Sequence, residues 1–241
     1  SAWVDLYSLD EISGQIESNQ DFLKVNWRDL PARQRSLRAT FDYSWQLLEE
    51  GEQAIYRALC VFRGGFTRQA AQNVSRANPQ ELRRLVDKSL VMPQAGEWYE
   101  IHALLRQYGL EKLNELPAES MEVHQRYSAY YLEKLEQWES GLKGALQAET
   151  LDTLDSKISD LRPAWDWACQ KGDIDRLCRG LEGLCLYYEL TARFKEGQRA
   201  CQAAADGVAG VDTPQAFSLQ AHLRIWQSRF SRFLGELESA H

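Results

Sequence analysis

Residues 90 to 101 read LVMPQAGEWYEI, and there the helical period of the surrounding sequence breaks. Two short β-prone arms flank Gln94, Ala95 and Gly96, which predicts a β-hairpin turning at those three residues. Amphipathic helices precede it. Pro31 opens one in which Leu37, Phe41, Ser44, Trp45 and Leu48 share a face, with Gly51 as its expected stop. Ile55, Leu59, Cys60 and Phe62 form the inner side of the next, closing at Gly64 and Gly65. Thr67 is placed to cap a third helix with Ala70, Ala71 and Val74 inward. Asn78 followed by Pro79 starts a fourth, striped by Leu82, Leu85, Val86 and Leu90. A further helix from about His102 to Leu113 completes the pattern of a winged-helix domain.

From Ala118 onward the sequence is helical and amphipathic, with Tyr127, Tyr130, Tyr131, Trp138, Trp165, Trp167, Tyr187 and Tyr188 prominent. Arg193-Phe194 and Arg232-Phe233 recur 39 residues apart, each after an apolar helix, which predicts stacked helical pairs of tetratricopeptide-like type. The expected fold class is therefore mainly α, a winged helix with a small β-hairpin followed by helical repeats. Residues 1–28 are expected to end a preceding helical subdomain, with SLDE at Ser8 to Glu11 capping a short helix to about Ser18. Residues 29–115 form the winged helix and residues 116–241 the truncated repeat region. The apolar opening and the stop within a repeat lead us to expect a piece of a longer chain.

Charge bears on partners. The three segments carry −3, +1 and −5, within a total of −7 over 241 residues. None is the dense basic stripe that neutralises many phosphates, so nucleic acid is not the expected partner through this chain. No run approaches the ~18 apolar residues of a membrane span, and a cytoplasmic protein is expected. Cys60, Cys169, Cys178, Cys185 and Cys201 are odd in number and lack a CxxC pair, so they read as small buried apolar residues in a reducing compartment.

Three blocks, LPARQRSLRATFDYSWQLLEEGEQAIYRALCVFRGGFT, LRRLVDKSLV and YEIHALLRQYGLEKL, closely resemble the winged-helix region of bacterial STAND proteins, signal-transduction ATPases related to the NB-ARC switches. The resemblance covers residues 28–115. Upstream, SAWVDLYSLDEISGQIE looks like the end of the lid subdomain; downstream, ISDLRPAWDWACQKGD and LYYELTARFKEGQRA are similar to the sensor repeats. It implies a longer protein with an upstream nucleotide-binding domain, ADP or ATP with magnesium as its cofactors, an inducer or protein partner on the repeats, and oligomerisation on activation. It also implies that His102, in the place of the histidine of a Met-His-Asp signature, contacts the β-phosphate of ADP; here the triplet is Ile101, His102, Ala103.

No GxxxxGK[ST] loop occurs, so this chain is not expected to hydrolyse ATP, and no catalytic or metal-ligating set stands out. His124 and His222 read as surface or interface residues. His102 begins a helix, where the dipole favours a neutral imidazole that still donates one hydrogen bond; as an isolated chain it should show that histidine idle on an exposed face. Candidate DNA contacts are Arg83, Arg84 and Lys88 on PQELRRLVDKSL, opposed by Glu81 and Asp87 on that helix and by Glu97 and Glu100 on the wing. Trp165, Trp167, Tyr187 and Tyr188 are candidates for a partner groove, against the alternative that helical aromatic residues fill a core. The segment Asn114 to Glu119 is the expected hinge of a switch; a DNA-contacting regulator and a plain repeat scaffold are the competing functions.

Overall fold

The computed structural model describes residues 32–235, with side chains from Arg38 onward. The helix expected between Ser8 and Ser18, and all of residues 1–28, lie outside the described residues. Two compact units are distinguished, 1–49 and 50–241. In the first, helix α1 (Ala32–Gln46) buries Phe41, and a tightened turn follows in which Leu48 N–H donates to the Trp45 carbonyl (3.1 Å). Gly51 does not end this helix. It lies in the first turn of the next, α2 (Glu50–Leu59), whose Glu50 and Glu52 carboxylates complement the positive end of the helix dipole.

The second unit is mainly helical with a small three-stranded antiparallel sheet. After α2 come β1 (Phe66–Thr67), α3 (Arg68–Ser75), α4 (Pro79–Asp87), β2 (Met92–Gln94), β3 (Trp98–Glu100) and α5 (Ala103–Asn114). Ile55, Leu59, Phe62, Val74, Leu82, Leu85 and Leu90 are buried between them, and Phe62 stacks on Phe66 with ring centroids 4.7 Å apart. The caps follow the sequence. Thr67 Oγ1 accepts from Ala70 N–H (3.1 Å), and Asn78 Oδ1 accepts from Gln80 and Glu81 N–H (2.9 Å each). Glu81 returns a carboxylate to Asn78 N–H at 2.8 Å, closing a capping box.

The hairpin differs from expectation in its turn and its width. Gln94 pairs with Trp98, so the loop is Ala95, Gly96 and Glu97, and the left-handed positions fall at Gly96 (φ 75°) and Glu97 (φ 60°). β1, two residues long, pairs with β3 through Phe66↔Tyr99 and Thr67↔Trp98, giving the order β1-β3-β2. A strand that short leaves no alternation to read. Gly65 beside it has room for no side chain, because a Cβ there would sit 2.5 Å from Trp98 Nε1.

Five helices follow: α6 (Pro117–Leu142), α7 (Gln147–Lys171), α8 (Ile174–Leu190), α9 (Phe194–Gly207) and α10 (Pro214–Leu234). α6 packs on both α7 and α8, and α9 on both α7 and α10. The Arg-Phe match is out of register with the helices: Arg193-Phe194 opens α9, whereas Arg232-Phe233 is still inside the last turn of α10. The left-handed residues after α8 and α10, Ala192 (φ 55°) and Gly235 (φ 73°), mark the equivalent ends. Phe194 and Phe233 instead meet face to face, 4.7 Å apart and 7° from parallel. Cys60, Cys169, Cys185 and Cys201 are buried as expected, but Cys178 is exposed on the outer side of α8. Among the described residues no helix is long and apolar enough to cross a membrane.

Candidate functional site

α3 and α4 are joined by three residues. Arg76 takes the left-handed conformation (φ 63°) with its N–H on the Gln72 carbonyl (2.9 Å), Ala77 is buried, and Asn78 caps α4. Ser75 fastens the turn, donating to the Ala71 carbonyl (2.7 Å) and accepting from Ala77 N–H (3.2 Å). Two short helices on so tight a turn, with a hairpin beyond, have the connection of a helix-turn-helix. Leu82 and Leu85 anchor α4, leaving Gln80, Arg83 and Arg84 exposed, with Lys88 just beyond its end. The basic residues are partly matched by acids. Arg83 Nε meets Asp87 at 2.9 Å, Lys88 reaches the buried carboxylate of Glu52, and Arg68 of α3 pairs with Glu97 of the wing at 3.0 Å.

His102 stands between β3 and α5 as the N-cap, its Nδ1 accepting from Leu104 N–H at 3.4 Å. It is neither idle nor on an exposed face; it is half-buried, and burial lowers its pKa below the usual histidine value. With Nδ1 accepting, the proton of the neutral ring sits on Nε2, which can donate outward. Beside Ile101 a cleft of about 230 Å³ brings Arg63 and Arg106 over the Gly64–Gly65 turn, with Glu100 at its edge.

The four aromatic candidates separate. Trp165, Tyr187 and Tyr188 line no groove, because all three are in the core: Trp165 Nε1 donates to the Ala200 carbonyl (3.0 Å), and the Tyr187 hydroxyl donates to Asp155. Trp167, two positions round the helix from Trp165, is half-buried and has Lys171 and Arg176 each 5.8 Å from its ring centroid. Among the described residues no group of three or more His, Cys, Asp or Glu is arranged to hold a metal ion.

The seam between the α2–α5 segment and helices α6–α10 combines aromatic contacts of Phe62 with Tyr127 and Tyr131 with a set of polar ones that no motif in the sequence announces. Asp160 of α7 is fully buried; its Oδ1 accepts from Arg63 N–H (2.6 Å) and from the Tyr127 hydroxyl (2.7 Å). One turn earlier, Lys157 lies 3.2 Å from the centroid of the Trp98 ring and donates to the Gly65 carbonyl (3.1 Å). Burial pushes Lys157 down to about 8, against the pull of Asp160, so it is still an ammonium at neutral pH. Arg126 Nε of α6 donates to the Val74 carbonyl (2.7 Å), and Arg57 grips Glu119 through two bonds of 2.8 and 2.7 Å. The expected hinge at Asn114 to Glu119 is a corner of only Glu115 and Leu116 between two helices, with Glu119 held by that arginine. The one signal for the seam is Lys157 at a buried position of a stripe that also holds Leu154 and Leu161.

No protein-family profile matches the chain, and no solved structure matches it. It is similar to proteins from Mycobacterium tuberculosis, strains H37Rv and CDC 1551, and from Mycobacterium bovis, each provisionally named an HTH-type transcriptional regulator. Identity is 30% over 197 residues in each case, 78% of this chain and 22% of the relative. The chain thus spans about a fifth of the length of the curated relatives it matches.

Proposed function

We propose that this chain is the regulatory core of a transcription regulator, with α3 and α4 as a DNA-facing helix-turn-helix and α6 to α10 as the array that controls it. The similarity to proteins named HTH-type regulators carries the reading, and the three-residue turn with Arg83 and Arg84 exposed on α4 supports it. Arg83, Arg84 and Lys88 are the contacts, docking α4 in the major groove with the wing against the backbone. Because Arg83 and Lys88 are shared with Asp87 and Glu52, DNA must compete for them, which makes affinity modest, and three cations give a log-affinity slope against log salt of about −3 at most. A gel shift with mixed-sequence duplex DNA tests this: a shifted band at low salt that fades with added salt supports it, and a band absent at every salt concentration removes it.

A second, finer reading rests on His102. A neutral, half-buried imidazole with Nε2–H directed away from its own helix is suited to donate to a phosphate oxygen. On that reading the whole protein is a STAND-type switch in which ADP, on an upstream domain, holds the closed state through His102, and an inducer on the repeats favours the open one. ADP retention by the whole protein should fall about tenfold in His102→Ala, the loss of one charge-assisted hydrogen bond; equal retention would end this reading and leave the DNA reading standing.

A further inference from the structure

A cleft of about 610 Å³ opens at the corner where α5 turns into α6, against the second half of α7. Its size falls within the roughly 300–1,000 Å³ of small-molecule sites. Trp167 forms part of one wall, with Pro117, Met121 and Pro163 as further apolar surface, and Met121 is exposed. A half-buried indole flanked by a thioether and proline rings presents flat, polarizable surface to a planar group.

The polar groups of the cleft are chosen unevenly. Arg63 and Lys171 line it with Asp166 as the only carboxylate in its wall among the described residues, a local positive excess in a chain of net charge −7. Neither Arg63 nor Lys171 makes a side-chain ion pair among the described residues. His124 also lines the cleft, its Nδ1 2.8 Å from the Ser120 carbonyl. Burial raises the Asp166 carboxyl, and Arg63 and Arg162 work against that rise.

We infer that this cleft binds a small aromatic carboxylic acid, its ring on Trp167 and its carboxylate between Arg63 and Lys171. The inference deepens the regulator reading by supplying the class of effector. Arg63 makes the site consequential: it lines the cleft, its charge acts on Asp166 there, and its backbone N–H is held by Asp160 at the seam. A ligand that draws the Arg63 guanidinium therefore acts on one of the residues that join helices α6–α10 to the helix-turn-helix segment.

The test is calorimetric titration of the chain with benzoate and indole-3-acetate, and with benzamide and indole-3-acetamide, in the absence of DNA. At least one acid should bind saturably, and its amide about tenfold more weakly, since the amide lacks the charge that two cations recognise. Arg63→Gln and Lys171→Gln should each weaken the acid about tenfold, Trp167→Ala should remove saturable binding, and Arg224→Gln on α10 should change nothing. Arg63 and Lys171 are exposed, so their variants decide the matter even if Trp167→Ala does not fold. No saturable binding of either acid, equal binding of acid and amide, or full affinity in Arg63→Gln and Lys171→Gln would overturn the site. None of these results depends on DNA, so the gel shift fails or succeeds separately.

Discussion

Replacing Asp160 by alanine lowers stability by about 3 kcal/mol, read as a shift of the urea midpoint at unchanged slope. The carboxylate has no exposure, and its Oδ1 accepts two short hydrogen bonds, from Arg63 N–H and the Tyr127 hydroxyl. Charge-assisted bonds of this kind contribute about 1.5–3 kcal/mol each. Part of the loss is offset, because Oδ2 is buried with no partner among the described residues and its desolvation cost disappears. Tyr127 also keeps the Asp160 carbonyl at 3.0 Å. The orphaned Arg63 amide is then the main penalty, and it lies where the wing-bearing segment meets α7. Asp160→Asn retains the Oδ1 acceptor and should lose less than the alanine variant. A midpoint unchanged in Asp160→Ala would mean that the two bonds to Oδ1 add nothing to the stability of the seam.

Gly207→Ala should also destabilise, by about 3 kcal/mol, although helix propensity by itself predicts a gain of about 1 kcal/mol from replacing a helical glycine with alanine. At the end of α9 the chain passes so close to α7 that an added Cβ would collide with the Cys169 carbonyl oxygen and lie 2.8 Å from the carbon that bears it. These are backbone atoms, so no rotamer change relieves the clash, and α9 must move off α7. The close approach is reciprocal. Gly172, left-handed at φ 59° at the end of α7, would place its own Cβ 2.9 Å from the Gly207 carbonyl. A thermal melt decides the sign: a lower midpoint marks close helix crossing as the limit, and a raised one marks propensity.

The helices were legible because their apolar residues repeat at helical spacing and their caps are chemically distinctive. Thr67 and Asn78 cap as the sequence indicated, and the stripe Leu82, Leu85 points inward. Boundaries failed where a glycine suggested a stop: Gly51 starts a turn instead of ending one, because an αL cap is a property of φ and not of composition. β1 was invisible at two residues, and its pairing depends on Trp98 from a distant strand. Arg83, Arg84 and Lys88 can be named from the sequence as basic residues of one helix, but the pairing of Arg83 with Asp87 and of Lys88 with Glu52 needs the fold. Trp165, Tyr187 and Tyr188 could not be told from groove residues by spacing, since a two-sided helix in a stacked array buries aromatic rings on more than one face. Nothing in the sequence marks Asp160 as buried, because a single carboxylate on a helix ordinarily faces solvent.

The proposed contact of α4 with DNA is open to direct measurement. Fluorescence anisotropy of a labelled duplex, repeated across a salt series, measures it most directly in the wild type and in an Arg83→Ala, Arg84→Ala double variant. The account predicts a wild-type log affinity that falls linearly with log salt. In the variant it predicts a weaker affinity, with a slope smaller by about 1 for each phosphate that is no longer neutralised. Wild type and variant lying on the same line, or no binding by either at low salt, would contradict it.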